Sequence, residues 1–438
     1  MKIRVIGGGI AGSEVALSLA GSGLSVELYE MRPSVSTGVH NSGDFAELVC
    51  SNSLKSESLE NASGLLKEEG LKLGTHLLKI ALKHRVPAGK ALAVDRRAFS
   101  EEVTRLIESH PLISLKREEV YELDTENHIN VVCTGPLTSE RLESFLRGMF
   151  GEDLFFFDAV APIVDAESIL TEKAFVADRY SNGDGDYINC PLTQEEYSVF
   201  WRELVEAEVI EVENFSDRLL FERCQPVEEI ARSGFDALRF GPMKPVGLID
   251  PATGREAYAT VQLRKENSQG TLLGLVGFQT RLKWGEQARV FSLIPALKEA
   301  DFVRYGVMHR NTYLNSPLII DPQLSARDYR RLFFAGQITG LEGYVEAMVS
   351  GRIAAINVKR FLEDRESLVL PPTTMTGGLI EHITVAGRTP LKPVYANFGL
   401  LPGVKGRGKV DRNRKKVSRA REDLDLFLER WRLDHNDL

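Results

Sequence analysis

Ile3-Arg-Val-Ile-Gly7-Gly8-Gly9-Ile10-Ala11-Gly12-Ser-Glu14 opens the chain as a short apolar strand, a glycine-rich turn and the start of a helix. Gly7, Gly9 and Gly12 have the spacing G-x-G-x-x-G. In such a turn the first glycine allows a tight connection, the second lets the backbone approach a pyrophosphate, and the third lets the helix pack on the strand. The helix N-terminus then faces the phosphates. The stretch predicts a dinucleotide-binding unit in an α/β protein.

An acidic residue at the end of the next predicted strand supports this interpretation. Glu30 closes the segment Val26-Glu-Leu-Tyr-Glu30 and follows the last glycine of the motif by eighteen residues. An acid at this place holds a ribose hydroxyl of the nucleotide. The alternative is a glycine-rich turn in an ordinary α/β unit, but strand, helix and acid together favour the nucleotide site.

Length and composition limit the class of protein. A chain of 438 residues exceeds one typical core, which predicts two domains. Hydrophobic residues make up 43% and charged residues 26%, and no window approaches the roughly 18 apolar residues of a membrane span. We therefore expect a globular protein and no membrane partner. The net charge of −8 argues against wholesale nucleic-acid binding but leaves room for a local basic surface.

The pattern changes twice along the chain, which predicts an insertion. Residues 178–302 contain a capped helix after Thr193 and short strands alternating with turns. The segment Leu332-Phe-Phe-Ala-Gly336-Gln337-Ile-Thr339-Gly340 then restores the strand-then-glycine pattern, before a long helix. We predict a nucleotide-binding domain of residues 1–177 and 303–438, interrupted by an inserted domain of residues 178–302.

The end of the chain is strongly basic. Its simplest interpretation is a solvated amphipathic helix with Leu424, Phe427, Leu428 and Trp431 facing inward, although its positive charge also allows contact with phosphates. The basic residues are Lys405, Arg407, Lys409, Arg412, Arg414, Lys415, Lys416, Arg419 and Arg421.

Two of the four cysteines are candidates for chemistry. Cys50 is either a packed small hydrophobe, which the usual burial of free cysteine favours, or a nucleophile whose thiolate a helix N-terminus or Lys55 stabilises. Cys224 follows Arg223 and precedes carboxylates, so that it is either a reactive thiol or part of an ordinary charged loop.

We interpret the other two cysteines, Cys133 and Cys190, as structural. The four cysteines show no C-x-x-C pair and no zinc spacing, so we predict free thiols, a reducing cytoplasm and no metal site.

A third candidate cluster combines aromatic, basic and amide side chains. It contains Arg281, Lys283 and Trp284, followed later in the chain by His309. Such groups bind flat heteroaromatic rings by stacking and by edge hydrogen bonds. The alternative is a pair of strands with exposed basic residues, which is the common situation for charge.

Taken together, these stretches resemble the folate- and FAD-dependent tRNA (uracil-5-)-methyltransferases, the TrmFO family, which are relatives of the larger tRNA-modifying flavoprotein GidA. Two of the strings are Phe45-Ala-Glu-Leu-Val-Cys-Ser-Asn-Ser-Leu54 and Leu238-Arg-Phe-Gly-Pro-Met-Lys-Pro-Val-Gly-Leu248. The others lie at residues 5–14, 30–33, 86–89, 91–96, 276–286, 304–314 and 334–340. The chain departs from the family pattern at Arg223-Cys224-Gln225-Pro, where the family reads Gly-Cys-Met-Pro, and at Lys90, which replaces a glycine.

The resemblance implies a Rossmann-like FAD-binding fold of the glutathione-reductase type with an inserted α+β domain. It also implies methylation of carbon 5 of a T-loop uridine in tRNA, with methylenetetrahydrofolate as one-carbon donor, reduced FAD, and NADH or NADPH as reductant. The same chemistry on rRNA is an alternative. So are a plain FAD-dependent oxidoreductase and a flavin-containing RNA-binding protein.

The resemblance also implies roles for individual residues. Cys224 is the first choice for the thiolate that activates the uracil, and Cys50 for the flavin-side or proton-handling partner, although the two roles could be exchanged. His309 is expected to stack on the folate pterin, with Arg281, Lys283 and Trp284 near folate or RNA. The expected FAD-binding residues are Gly7, Gly8, Gly9, Ile10, Ala11, Gly12, Glu30, Arg32, Gly336, Gln337, Thr339 and Gly340.

Overall fold

The structure is a computed structural model. It describes residues 1–37, 39–151, 154–159, 161–179, 185–210, 225–266, 270–306, 308–385, 391 and 393–431, with the backbone alone at 154–159 and 308–310. Its strands are β1 (Ile3–Ile6), β2 (Val26–Tyr29), β3 (Ser53–Ser56), β4 (Arg85–Val86), β5 (Ala91–Val94), β6 (Ile113–Lys116), β7 (Ile129–Val132), β8 (Leu154–Ala159), β9 (Ile163–Asp165), β10 (Phe175–Val176), β11 (Ile188–Leu192), β12 (Ile249–Asp250), β13 (Arg255–Glu256), β14 (Ala259–Lys265), β15 (Leu272–Leu275), β16 (Phe302–Arg304), β17 (Met308–Tyr313) and β18 (Leu332–Phe334). Its helices are α1 (Ile10–Gly21), α2 (Ala62–Lys72), α3 (His76–Lys83), α4 (Arg96–Ser109), α5 (Glu140–Phe150), α6 (Gln194–Glu206), α7 (Val227–Arg232), α8 (Ala237–Phe240), α9 (Trp284–Phe291), α10 (Ser316–Ile319), α11 (Tyr344–Leu362), α12 (Met375–Thr384) and α13 (Gly408–Trp431).

A five-stranded parallel sheet forms the centre of the first core, in the order β18-β7-β1-β2-β6. Ile3 pairs with Val26 on one side and with Ile129 on the other. Parallel sheets are covered on both faces, so their strands are apolar throughout. The four residues of β7 are accordingly all buried. The sheet confirms the predicted Rossmann-like α/β fold.

Helices α1 and α11 pack together and join the N-terminal part of the chain to the segment that follows β18. Nearly every residue of both helices is buried, which is why neither has a polar face in its sequence. The two backbones approach closely, since a Cβ atom added at Gly351 would lie 2.7 Å from the carbonyl oxygen of Ala11. This contact brings the N-terminus of α11 to the glycine-rich turn.

A six-stranded antiparallel sheet forms the second core, in the order β10-β11-β14-β15-β9-β16. Helices α6 and α9 contribute Phe200 and Phe291 to this core, and both side chains are fully buried. Strands β9 and β10 precede residue 178, and β16 includes residues beyond 302. The sheet therefore extends past the predicted insertion on both sides, and the division of the chain into domains stays a prediction.

Two smaller sheets lie beside these cores. Strands β3, β5 and β4 form an antiparallel sheet after the polar segment that contains Cys50, and β17 pairs with β8. Within the described ranges, no helix combines the length and the apolar character needed to cross a membrane.

Candidate functional site

A groove lies where β1, β2 and the N-terminus of α11 meet, and with the open solvent at its mouth included it measures about 980 Å³. Predicted cofactor residues that line the groove are Gly7, Gly9, Ile10, Ala11, Glu30, Arg32 and Gln337. Val49, Gly343 and Tyr344, which the sequence did not single out, line it as well.

The three motif glycines differ in what they are needed for. Gly7 has a φ of +99°, and a Cβ atom at Gly12 would lie 1.8 Å from the carbonyl oxygen of Gly7. Packing of the protein itself therefore requires both. A Cβ atom at Gly9 would meet no atom within 4 Å, and Gly9 gives α1 no side-chain cap. The unpaired N–H groups of the first turn and the open space at Gly9 fit the pyrophosphate of a dinucleotide such as FAD.

Glu30 and Arg32 form a buried ion pair at the groove. Arg32 Nε lies 3.0 Å from Glu30 Oε1, and the Gly8 N–H donates to Glu30 Oε2 at 2.8 Å. Burial alone would raise the pKa of Glu30, but the hydrogen bonds and charge of Arg32, together with backbone N–H groups, lower it below its ordinary value. Glu30 is therefore an ionised acceptor beside the groove, while its contact with a ribose stays a prediction.

The strand-then-glycine segment at residues 332–340 contributes fewer residues to the groove than the sequence predicted. Gln337 lines it, whereas the Thr339 hydroxyl donates to the carbonyl of Gly336 at 2.7 Å. Gly336 and Gly340 have φ values of +80° and +84°, and a Cβ atom at Gly336 would lie 2.7 Å from that of Ala11. In the structure these two glycines and Thr339 shape the turn, and direct contact of the three with the cofactor stays a prediction.

Cys50 is partly exposed and lies beside the groove in contact with Tyr344. The Tyr344 hydroxyl oxygen accepts the N–H groups of Cys50 at 3.0 Å and of Ser51 at 3.3 Å, and it lies 3.0 Å from Cys50 Sγ. Because the oxygen accepts two N–H groups, its own proton is available to the sulfur. Burial, and to a smaller extent the charge of Cys50, raises the pKa of Tyr344 well above its usual value. The phenol therefore keeps that proton.

Arginine side chains surround the same segment. Arg96 Nη1 donates to the carbonyls of Leu48 and Val49 at 3.0 and 3.1 Å. Burial lowers the pKa of Arg304, and the charge of nearby Arg96 lowers it as well. A negative charge on Cys50 acts in the opposite direction and raises the pKa of Arg304. Cationic neighbours and a hydrogen-bond donor stabilise a thiolate. Arg96 is itself paired with buried Glu266 at 2.7 Å, so the contact that bears directly on the Cys50 sulfur is the Tyr344 hydroxyl, and the reactivity of Cys50 stays a prediction.

Replacing Tyr344 with phenylalanine tests this arrangement. We expect Tyr344→Phe to slow alkylation of Cys50 by iodoacetamide about 10-fold at neutral pH, because the thiolate loses one hydrogen-bond donor, worth about 1.5 kcal/mol. Mass spectrometry of the Cys50 peptide measures the rate, and Tyr313→Phe, another buried tyrosine, is the matched control. Equal alkylation rates in the wild-type protein and in Tyr344→Phe would contradict a role for the phenol.

The predicted uracil nucleophile, Cys224, lies outside the described residues, in the segment 211–224. The structure resumes just after it, where Val227 opens α7 and donates its N–H to Gln279 at 2.7 Å. Buried Glu228 accepts the Arg281 N–H at 2.9 Å, and its pKa is raised by burial. The chain after Cys224 is thus attached to the segment of the third candidate cluster.

The third cluster is only partly assembled in the structure. Arg281 forms an ion pair with Glu229, and Lys283 Nζ lies 2.6 Å from Glu208 on the surface. Trp284 is 60% exposed and stacks on Tyr305, with ring centroids 5.9 Å apart. The side chain of His309 is outside the described residues, although its backbone belongs to β17. Binding of folate or RNA by these four residues stays a prediction.

Cys133 and Cys190 are buried in the first and second core, respectively, and Cys133 also lines the groove. Burial raises the pKa of Cys190 to about 12 and that of Cys133 even further above the usual range, so both thiols stay protonated. This agrees with structural roles. Among the residues that the structure describes, no group of three or more His, Cys, Asp and Glu side chains is arranged to hold a metal ion.

Comparison with known proteins relates these features to a family. Residues 2–366 match the family model described as Glucose inhibited division protein A. A protein of Thermotoga neapolitana named Methylenetetrahydrofolate--tRNA-(uracil-5-)-methyltransferase TrmFO is 55% identical over 98% of this chain and 99% of its own length. A protein of the same name from Moorella thermoacetica is 52% identical over 96% of this chain and 97% of its own length.

A solved structure supports the fold independently. Aquifex aeolicus GidA in one crystal form has a TM-score of 0.69 at 18% identity, over 99% of this chain and 75% of its own. At this identity the likeness concerns the fold alone. It agrees with the parallel sheet and its covering helices.

Proposed function

Because the chain belongs to the Glucose inhibited division protein A family and, within it, to the TrmFO tRNA methyltransferases, we propose that it forms 5-methyluridine in tRNA from methylenetetrahydrofolate. The target is a uridine of the T loop. The observation that carries this proposal is the position of Cys50, a partly exposed thiol between a dinucleotide groove and a set of cationic side chains. Hydride transfer between a nicotinamide and a flavin uses the groove and needs no thiol, whereas activation of a uracil needs one.

The chemistry explains why such an enzyme needs cysteine. Carbon 5 of uracil is a poor nucleophile, and a thiolate that adds to carbon 6 makes carbon 5 reactive. The one-carbon unit bonds to carbon 5, carbon 5 loses its proton, and the bond from the methylene to the folate nitrogen breaks. A hydride equivalent converts the methylene to methyl, and the thiolate then leaves carbon 6, which restores the ring double bond. We assign the addition to Cys224 and the acceptance of the proton to Cys50.

Several groups of the chain prepare Cys50 for this role. The Tyr344 hydroxyl contacts its sulfur, and Arg96 fixes the carbonyls of the two preceding residues. Arg264 donates to the Ser51 hydroxyl at 2.8 Å and so fixes the residue that follows. The thiol is therefore held on both sides, which limits its motion relative to the groove.

The groove residues would hold FAD. The Gly7–Gly12 turn and the N-terminus of α1 would hold the pyrophosphate, and Glu30 would hold a ribose hydroxyl. When bound and reduced, FAD supplies the electrons that convert the transferred methylene to a methyl group. NADH or NADPH is the proposed source of these electrons, and the cytoplasm is the proposed compartment.

Product analysis tests the proposal. Purified protein should be yellow and should form 5-methyluridine in an unmodified tRNA transcript only when methylenetetrahydrofolate and a reduced nicotinamide are both present. Mass mapping of tRNA and rRNA nucleosides before and after the reaction identifies the target. Methyl label that arises from S-adenosylmethionine, or modification of rRNA alone, would contradict the proposal.

A further inference from the structure

A cluster of unpaired positive charge lies at the start of α13. We call Lys405, Arg407, Lys409, Arg412 and Arg414 the basic patch. All five side chains are exposed, and none has a carboxylate partner among the described residues. Residues 405–421 contain nine Lys and Arg residues and a single acid, Asp411, in a chain whose net charge is −8.

The other basic residues of this region anchor the helix. Lys416 Nζ donates to the carbonyls of Phe398 and Leu401 at 2.5 and 3.1 Å, and Arg419 donates to that of Pro402 at 2.6 Å. Arg421 lies 2.7 Å from Glu68 of α2.

The apolar side of the helix is docked as well. Val417, Ala420 and Leu424 are buried against the first core. The helix is therefore held by its apolar side and by these anchors, and the basic patch faces outward from a fixed position.

A short segment links the basic patch with the candidate site. Lys55 Nζ lies 5.0 Å from the ring of Tyr395, and the Ala396 N–H donates to Glu346 at 2.9 Å. Glu346 belongs to the first turn of α11, which begins at Tyr344. Since residues 398 and 401 accept the anchoring bonds of Lys416, this segment connects the first turn of α11, which contains Tyr344, with α13, whose N-terminal end carries the basic patch.

From this placement we infer that the basic patch binds the phosphate backbone of the tRNA while the target uridine enters the site. The inference rests on the proposed function. Isolated Lys and Arg side chains on a fixed helix neutralise phosphates and release counterions, which gives affinity without sequence preference. The excess of positive charge in an acidic chain matches a polyanion, and the acid of this stretch, Asp411, is paired with Lys415 at 3.1 Å.

The variant Lys409→Gln/Arg412→Gln/Arg414→Gln tests this inference in the full-length, FAD-loaded protein. We expect its Kd for an unmodified tRNA transcript to rise about 10- to 100-fold at low salt. The slope of log Kd against log salt concentration should fall by about 2 to 3, because three phosphate contacts are lost. Fluorescence anisotropy measures both quantities, and the turnover number at saturating tRNA should be unchanged.

A matched control carries the same change of charge elsewhere. Lys173, Lys298 and Arg330 are exposed on other elements, and Lys173→Gln/Lys298→Gln/Arg330→Gln should keep the wild-type Kd and slope. Wild-type affinity in the patch variant, or an equal loss in both variants, would overturn the inference. So would poly-glutamate of equal charge binding as tightly as tRNA and losing affinity in the patch variant, because the patch would then be a site for acidic peptides.

The same measurements separate this inference from the proposed function. Wild-type protein that binds tRNA through the basic patch but forms no 5-methyluridine would contradict the proposed function and support the docking surface. Methylation that proceeds normally in the patch variant, with unchanged Kd, would contradict the docking surface alone.

Discussion

Cys50→Ala is expected to lower tRNA methylation at least about 1,000-fold while FAD stays bound. The loss follows from the position of the thiol, which lies beside the groove, 3.0 Å from the Tyr344 hydroxyl and close to Arg96 and Arg304. Alanine removes the sulfur that accepts the proton in the proposed reaction. The cofactor should be retained, because the glycine-rich turn and Glu30 line other parts of the groove.

Activity assays and the visible absorbance of bound flavin measure the two effects separately. Cys224→Ala should likewise abolish methyl transfer and leave FAD bound. Cys190→Ala is the matched control, since this buried thiol stays protonated and lies in the second core. It should lower stability by about 1 kcal/mol and leave the turnover number within a factor of about two. Full activity in both Cys50→Ala and Cys224→Ala would leave only the oxidoreductase alternative.

Alanine at two glycines of the same motif should give opposite kinds of defect. Gly9→Ala should leave the stability of the FAD-free protein within about 0.5 kcal/mol, because the backbone at Gly9 is extended and its Cβ atom would meet no protein atom. It should weaken FAD binding about 10- to 100-fold, because that atom would occupy space on the phosphate side of the turn.

Gly12→Ala should instead destabilise the FAD-free protein itself by about 3 kcal/mol or more, because its Cβ atom would overlap the carbonyl oxygen of Gly7. Urea unfolding of the FAD-free protein and flavin titration separate these outcomes. Equal destabilisation by the two variants, or unchanged FAD affinity in Gly9→Ala, would contradict a phosphate position at Gly9.

The fold was predictable because its signals are local in the sequence. A strand, a glycine-rich turn and a helix follow one another within residues 3–21, and Glu30 comes directly after the next strand. The apolar strand β7 and the segment that starts at β18 are also recognisable as buried strands. Their parallel pairing with β1 completes the predicted Rossmann-like sheet.

The sheet of the second core was harder to delimit from sequence. Its strand β9 pairs with both β15 and β16, more than a hundred residues later in the chain, and nothing local to Ile163–Asp165 indicates that pairing. The position of a short strand depends on the strands with which it pairs, so its boundaries cannot be predicted from its own residues.

In the candidate site, too, some features could be predicted from the sequence and others could not. The sequence by itself determined the dinucleotide turn, because the positive φ of Gly7 and the contact between Gly12 and the Gly7 carbonyl oxygen lie within a few residues of each other. It also identified Cys50 as a candidate without deciding between packing and reactivity. Only the tertiary structure placed Tyr344 on that sulfur, 294 residues away, and brought Arg96 and Arg304 around it. A thiolate is stabilised by charges and donors that surround it in space, and these come from elements that only folding brings together.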